Sequence, residues 1–333
     1  MKNKTRRLLI VDSNSIIHRA YHALPSLTTK KGELVNAVYG FLLVFLKAIK
    51  DFHPDFVAAA FDFPAPTFRH KKYKEYKAKR PRAPEELYQQ IPKVKEVLSA
   101  FNVPVFEMQG FEADDIIGTI ADLAPRKQII PPLETIILSG DLDALQLVGP
   151  RTKVYALKKG VKDIVLYDED LVKEKFQGLS PRQILDFKAL RGDASDNIPG
   201  VTGVGEKTAI KLLSKFGSLE NVYEEDSRES FMEGKDFKLK LRDLLLKYKE
   251  QAFLSRDLAR IDKNVPLDFN LNECRWGDYD KEKIAQVFKK FDFHSLLGRI
   301  FESEEGKSSS SPFAKTREIN EKEKKIGENL KLW

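Results

Sequence analysis

The sequence predicts an α/β protein built on a parallel sheet, with a helical unit following it. Three observations predict this. Short apolar, β-branched runs at 8–11, 56–61, 103–106, 135–138 and 153–156 alternate with amphipathic helical patterns at 35–52, 85–101 and 114–123. Three of those runs lead into an aspartate, as loops do at the carboxyl edge of a parallel sheet. From about Leu179 strand character fades, and helical patterns broken by tight turns continue to about residue 300.

Bulk properties permit a wide range of partners. The chain has 333 residues, 42% hydrophobic and 32% charged, enough for one large domain or two ordinary ones. No run approaches the ~20 apolar residues of a membrane span. The opening MKNKTRR-LLIVD has too short an apolar stretch for a signal peptide and reads as a first strand. The single cysteine, Cys274, excludes an internal disulfide and a cysteine-based zinc cluster. A monomeric protein in the reducing cytoplasm, away from membranes, is the expected setting.

The elements follow in chain order. LLIV ends in Asp12, and a helical pattern leads to VAAAF and Asp62. Residues 69–82, RHKKYKEYKAKRPR, carry eight Lys/Arg against one Glu, so they account for the whole net charge of +7. A charge run is commonly a solvated helix face. Tyr73 and Tyr76 interleaved with it suit phosphates and stacked bases instead. Pro92 marks a first helical turn or a kink in the 85–101 pattern. FEADD places Glu112, Asp114 and Asp115 where a helix begins, and IILSGDLD places Asp141 and Asp143 after another strand. RGDASDNIPG adds Asp193 and Asp196, three positions apart.

Any one of these acids is explained by a cap or a helix dipole. Nine of them at sheet edges and helix starts would repel one another without cations. An all-oxygen set selects hard ions, two Mg²⁺ or Mn²⁺, over zinc. Two such ions ~4 Å apart can hold a phosphodiester, activate water and stabilise the leaving oxygen. None of the five histidines has metal-motif spacing. IPGVTGVGEKTA then reads as the hairpin of a helix-hairpin-helix. Gly200, Gly203 and Gly205 allow close approach, and Lys207 and Thr208 open a helix toward phosphate. It lacks the ending of a nucleotide P-loop.

Together the blocks LLIVDSNSIIHRAYHAL, NAVYGF, FDFPAPTFRHKKYKEYKAKR, GFEADDIIGT, SGDLDALQLV and LRGDASDNIPGVTGVGEKTA resemble the bacterial 5′→3′ exonuclease and flap endonuclease family. Within that family they resemble particularly the N-terminal nuclease domain of DNA polymerase I. The resemblance runs from Leu8 to about Leu297. It implies a PIN-like nuclease core at 1–178 with a basic helical arch at 66–84. It further implies a helix-hairpin-helix subdomain at 179–300. The serine run and balanced charge from residue 301 read as a disordered tail at 301–333, with a transient helix at 316–329.

Residue by residue, the resemblance implies a first metal site at Asp12, Asp62, Glu112 and Asp114. The second would use Asp141, Asp143 and Asp196, with Asp115 and Asp193 acting directly or through water. Lys77 and Arg80 would act on the scissile phosphate, Arg19 and Arg69 would contact DNA, and the hairpin would hold duplex, often with a monovalent cation. The implied activity is two-metal hydrolysis of DNA or RNA-primer phosphodiesters at 5′ flaps, nicks and 5′ ends, in replication and repair. Ser13, His18 and Leu142 depart from the family's usual residues without removing an acid. Alternatives are the nuclease portion of a longer polymerase, or a silent DNA-binding protein of the same fold. A small-domain ribonuclease predicts neither basic arch nor glycine hairpin.

Overall fold

The computed structural model describes residues 5–126, 132–224 and 239–297. β1 (Arg6–Asp12), β2 (Phe56–Ala60), β3 (Val105–Phe106), β4 (Leu133–Ser139), β5 (Thr152–Lys159) and β6 (Asp163–Tyr167) form one sheet of order β3-β2-β1-β4-β5-β6. The first five run parallel, as the sequence predicts, and β6 turns back antiparallel to β5. β6 escapes sequence reading because it is an edge strand, half-exposed along most of its length, and lacks a continuous apolar run.

Alternation within β1 feeds two cores. Leu9 and Val11 join one face, and Leu8 and Ile10 the other. α1 (Ser13–Ala23) and α2 (Asn36–Phe52) cover the first face. The 85–101 pattern resolves into two helices, α4 (Glu85–Tyr88) and α5 (Ile91–Ala100), with Pro92 in the first turn of α5. The break is held by buried Gln90, whose Oε1 accepts from the Ala37 and Val38 amides at the start of α2. Between α2 and α4, only α3 (Phe68–Lys72) of the basic segment is helical, and residues 74–79 are turns. α6 (Ala113–Leu123) packs on the second face.

Beyond the sheet come α7 (Glu169–Lys175), α8 (Ile184–Arg191), α9 (Glu206–Phe216) and α10 (Leu219–Tyr223). α8, the loop after it and α9 make the helix-hairpin-helix. Leu190, Val201, Val204 and Leu213 form its core with Leu245 and Ala252 from later helices. After Ala259 the chain returns to the sheet. Ile261, Val265 and Phe269 enter the second core, while Phe288, Phe291 and Phe293 enter the first. Packing thus divides the described residues between 179 and 297 between two places. The expected tail at 301–333, with its helix at 316–329, lies outside the described residues.

The order places β1 at the switch point: the chain crosses to β2 and β3 on one side, and β4 and β5 lie on the other. Ligands of open parallel sheets bind beyond the strand ends at this crevice. Asp12 ends β1, Asp62 follows β2, and Asp141 follows β4.

Two glycines of the hairpin have opposite duties. Gly200 has φ +62°, and a Cβ there would lie 2.2 Å from the Gly192 nitrogen. Gly205 has an ordinary φ and would place a Cβ where nothing lies within 4 Å. Gly200→Ala is expected to destabilise the protein by roughly 2 kcal/mol or more, from left-handed strain and overlap together. Gly205→Ala should cost no more than about 1 kcal/mol. Urea denaturation checks both; equal losses would contradict this assignment.

Candidate metal centre

Each acid at the switch point is positioned by its local backbone. Asp12 is 3% exposed; Ser139 Oγ donates to its Oδ2 at 2.6 Å and the Ser15 amide to its Oδ1 at 3.3 Å. Asp62 Oδ1 accepts from the Ala113 amide at 2.8 Å, which ties β2 to the start of α6. Glu112 is the N-cap of α6, and Asp114 and Asp115 occupy its first turn. Asp141 accepts from the Asp143 amide at 2.9 Å, which fixes the turn after β4.

The carboxylates at the strand ends sense one another. Burial, followed by Asp12, Asp141 and Asp143, raises Asp114 well above the usual carboxylate range. Burial and neighbouring Asp143 push Asp141 up to about 7. Asp12 is raised by burial and Asp62, against hydrogen bonds from Ser139 and Ser15. The group is therefore one electrostatic cluster. Even so, no three carboxylate, histidine or thiol groups among the described residues are set to hold one ion as they stand.

Internal cations occupy part of the set. Lys77 Nζ lies 2.9 Å from Glu112 and 3.9 Å from Asp196, and Arg80 lies 2.8 Å from Asp196. Tyr76 donates to Glu112 and Asp196. Lys188 sits between Asp143 and Asp193, touching both. Its ammonium and the Ser195 donors outweigh burial and hold Asp193 at about 2. The donor set itself, carboxylate oxygen throughout, fits a hard divalent ion.

Residues 7–177 match the model for the 5′-3′ exonuclease N-terminal resolvase-like domain. Residues 179–282 match the 5′-3′ exonuclease C-terminal SAM fold. This chain belongs to the 5′-3′ exonuclease family.

Relatives within that family include DNA polymerase I of Bacillus subtilis, 42% identical over 297 residues, covering 89% of this chain and 32% of that protein. DNA polymerase I of Mycobacterium tuberculosis is 38% identical over 298 residues, again covering 89% of this chain and 32% of the relative. The chain spans about a third of the length of these relatives. Among solved structures, T5 5′-exonuclease with bound divalent zinc shares the fold at a TM-score of 0.61 and 20% identity, covering 87% of this chain and 98% of that one. The catalytic core of Rad2 with DNA substrate does so at 0.51 and 19%, covering 86% and 88%.

Within this family member, the structure separates the acids expected to bind metal. Asp12, Asp62, Asp114, Asp141 and Asp143 meet at the strand ends. Glu112 and Asp196 face each other through Lys77 and Tyr76. Asp115 stands apart. It is fully buried and takes both guanidinium nitrogens of Arg69 at 2.7 Å, while its carboxylate also accepts from the Asp262 amide. Arg69 donates further to the Leu258 and Arg260 carbonyls, so this pair pins the returning chain to α6. In this structure Arg69 is therefore buried away from the surface, and both oxygens of Asp115 are taken by it.

Arg19 donates to the Gly140 carbonyl at 2.7 Å and to that of Lys158 at 3.4 Å, so it braces the loop carrying Asp141. Tyr76 is 3% exposed and cannot be the stacking platform expected of it. In the hairpin, a Cβ at Gly203 (φ +90°) would lie 3.3 Å from Leu244, Gly205 is open, and Lys207 is exposed in the first turn of α9 beside half-buried Thr208. Gly200, besides its close packing, has its carbonyl taken by Gln251.

Sequence reading missed Ser15, Ser139 and Lys188. The serines are short and ordinary, and a lysine in the last turn of a helix reads as a dipole complement.

The raised carboxyls set a pH dependence for the ion-free protein. Asp141 keeps its proton in the folded state up to about 7, whereas the unfolded chain loses it near the ordinary 3.8. Between those values the unfolded state binds fewer protons, so rising pH favours unfolding, by about 1.4 kcal/mol per unit for one such group. Asp193 acts oppositely in a lower window, its stabilisation being lost only as pH falls from 3.8 through about 2. Urea denaturation in EDTA should show stability falling from roughly pH 4 to 7, with a shallower slope in Asp141→Asn. A flat or rising profile there would refute the coupled cluster.

Proposed function

We propose that this chain is a divalent-metal-dependent 5′ nuclease acting on DNA flaps, nicks and 5′ ends, and on RNA-primer junctions. The observation that carries this reading is the convergence of mutually raised carboxylates at the sheet's switch point, beside a cationic segment docked on Glu112 and Asp196. Asp12, Asp62, Glu112 and Asp114 would hold one ion. Asp141, Asp143, Asp193 and Asp196 would hold the other, Asp193 being included because Lys188 already joins it to Asp143. Bound Mg²⁺ or Mn²⁺ would supply an activated water and neutralise charge on the phosphate.

The protein's own groups do the rest. Asp12 and Asp141 are held by Ser139 and by backbone amides, so these two carboxylates are fixed in place at the strand ends. Lys77 and Arg80 stand beside that face, and their positive charge favours the developing negative charge of the cleaved phosphate. The hairpin from Gly203 to Thr208 offers open backbone and the α9 N-terminus to duplex phosphates, with a monovalent cation as an expected companion. The family's DNA polymerase I members favour a second reading that differs in context and not in chemistry: this nuclease as one portion of a polymerase I.

Single-turnover cleavage of 5′-labelled flap, nicked and single-stranded DNA in Mg²⁺, Mn²⁺ or EDTA tests the proposal. Activity should require the metal, and Asp62→Ala or Asp114→Ala should lose several orders of magnitude. Lys77→Ala should lose about 10²–10³-fold in rate at saturating DNA. Cleavage in EDTA, or near-normal cleavage by either aspartate variant, would overturn it.

The hairpin is tested separately by fluorescence anisotropy in Ca²⁺ across a salt series. Gly205→Val should weaken duplex binding by filling the open approach. Lys207→Ala should lower the salt slope by about one unit. Unchanged affinity in Gly205→Val would remove the hairpin as duplex anchor.

A further inference from the structure

We propose that Lys188 is a displaceable internal counter-ion, standing between Asp143 and Asp193 and leaving when a divalent cation is held there. The inference rests on the metal-dependent reading above and goes beyond it. It assigns to one lysine the control of how tightly the second half of the centre binds its ion.

The geometry separates fixed members from a movable one. Asp193 belongs to a tight loop in which its backbone exchanges two 2.8 Å hydrogen bonds with Ile198. Its Oδ1 accepts from the Ser195 amide at 2.9 Å and from Ser195 Oγ at 2.6 Å. The remaining oxygen, Oδ2, faces Lys188 Nζ at 2.7 Å. Asp143 is likewise anchored through its backbone, whose amide donates to Asp141, and its Oδ1 contacts the same ammonium. Both carboxylates thus meet at one point, Asp193 held there by the Ser195 amide and hydroxyl and Asp143 carried there by a backbone turn closed on Asp141. Lys188 reaches that point from the last turn of α8 on a flexible four-carbon stem, and its side chain is 12% exposed.

An ammonium at this point does what an ion would do: it cancels repulsion between two anchored carboxylates. It cannot remain once a divalent cation takes the same oxygens, because like charges in a half-buried site repel strongly. Arg69 provides the contrast. Its guanidinium is 3% exposed, makes a bidentate pair with Asp115 and also binds two carbonyls, so it is locked. Lysine at 188 is the reverse choice, a single mobile charge without bidentate geometry. The ion-free centre is thereby kept folded, and its metal affinity is set by competition with a built-in cation.

Calorimetric titration of the full chain with Ca²⁺ tests this without turnover, using Lys188→Met and Lys188→Arg beside the unaltered protein. Lys188→Met should bind Ca²⁺ roughly tenfold or more tightly at one site, as removal of a close unit charge predicts. Lys188→Arg should stay near the unaltered affinity or below it. In EDTA the Met variant should melt lower, and saturating Ca²⁺ should close that gap. Lys188→Gln, which keeps hydrogen bonding but drops the charge, serves if the Met variant does not fold. Equal or weaker Ca²⁺ binding by the neutral variants, with binding intact in the unaltered protein, would overturn the counter-ion role alone. Absence of Ca²⁺ binding in every protein would overturn the metal reading, and the counter-ion role with it.

Discussion

The constraint on which the structure depends is repulsion among carboxylates gathered at the end of one sheet. Parallel strands deliver their carboxyl ends to a common edge, and the switch in direction around β1 opens a crevice there. Side chains that would be harmless caps elsewhere become one coupled group. Asp114 and Asp141 are both held above the ordinary range, first by burial and then by their neighbours. A fold that keeps such a group must answer it with positive charge.

It answers in three ways that differ in permanence. Arg69 is a fixed answer: buried and bidentate with Asp115, it joins the basic segment, α6 and the chain returning from the helical unit. Lys77 and Arg80 are positioned answers. Lys77 has φ +55°, its amide donates to the Asp196 carbonyl, and its side chain lies on Glu112. The basic segment is in this way docked on the loop that opens the hairpin, where Asn197 also donates to the Glu75 carbonyl at 2.7 Å. Lys188 is the movable answer. The acids therefore differ in their partners: Asp115 has a fixed one, and Asp143 and Asp193 share the lysine proposed to move.

The sheet was legible because buried parallel strands demand unbroken apolar runs, and LLIV and VAAAF carry that signal without ambiguity. Asp12, Asp62 and Asp141 were legible for a related reason, since a carboxylate directly after such a run has its place set by the strand. Partner choice was not legible. Nothing local distinguishes Asp114, which faces the cluster, from Asp115, one step round α6, which faces Arg69. The glycines of the hairpin look alike in sequence, yet Gly200 packs against Gly192 and Gly205 faces open space. The return of Phe288 and Phe293 to the first core depends on contacts far apart in the chain, which periodicity does not report.

In the proposed reading, the strand-end acids are an ion-binding centre whose internal cations stand in for metal. Its most direct test is anomalous diffraction from crystals soaked in Mn²⁺. Two peaks ~4 Å apart are expected. One should lie among Asp12, Asp62, Glu112 and Asp114, and the other beside Asp141, Asp143, Asp193 and Asp196, with the Lys188 ammonium withdrawn. A map without peaks at the strand ends, or with Lys188 still seated between Asp143 and Asp193 beside a bound ion, would contradict it.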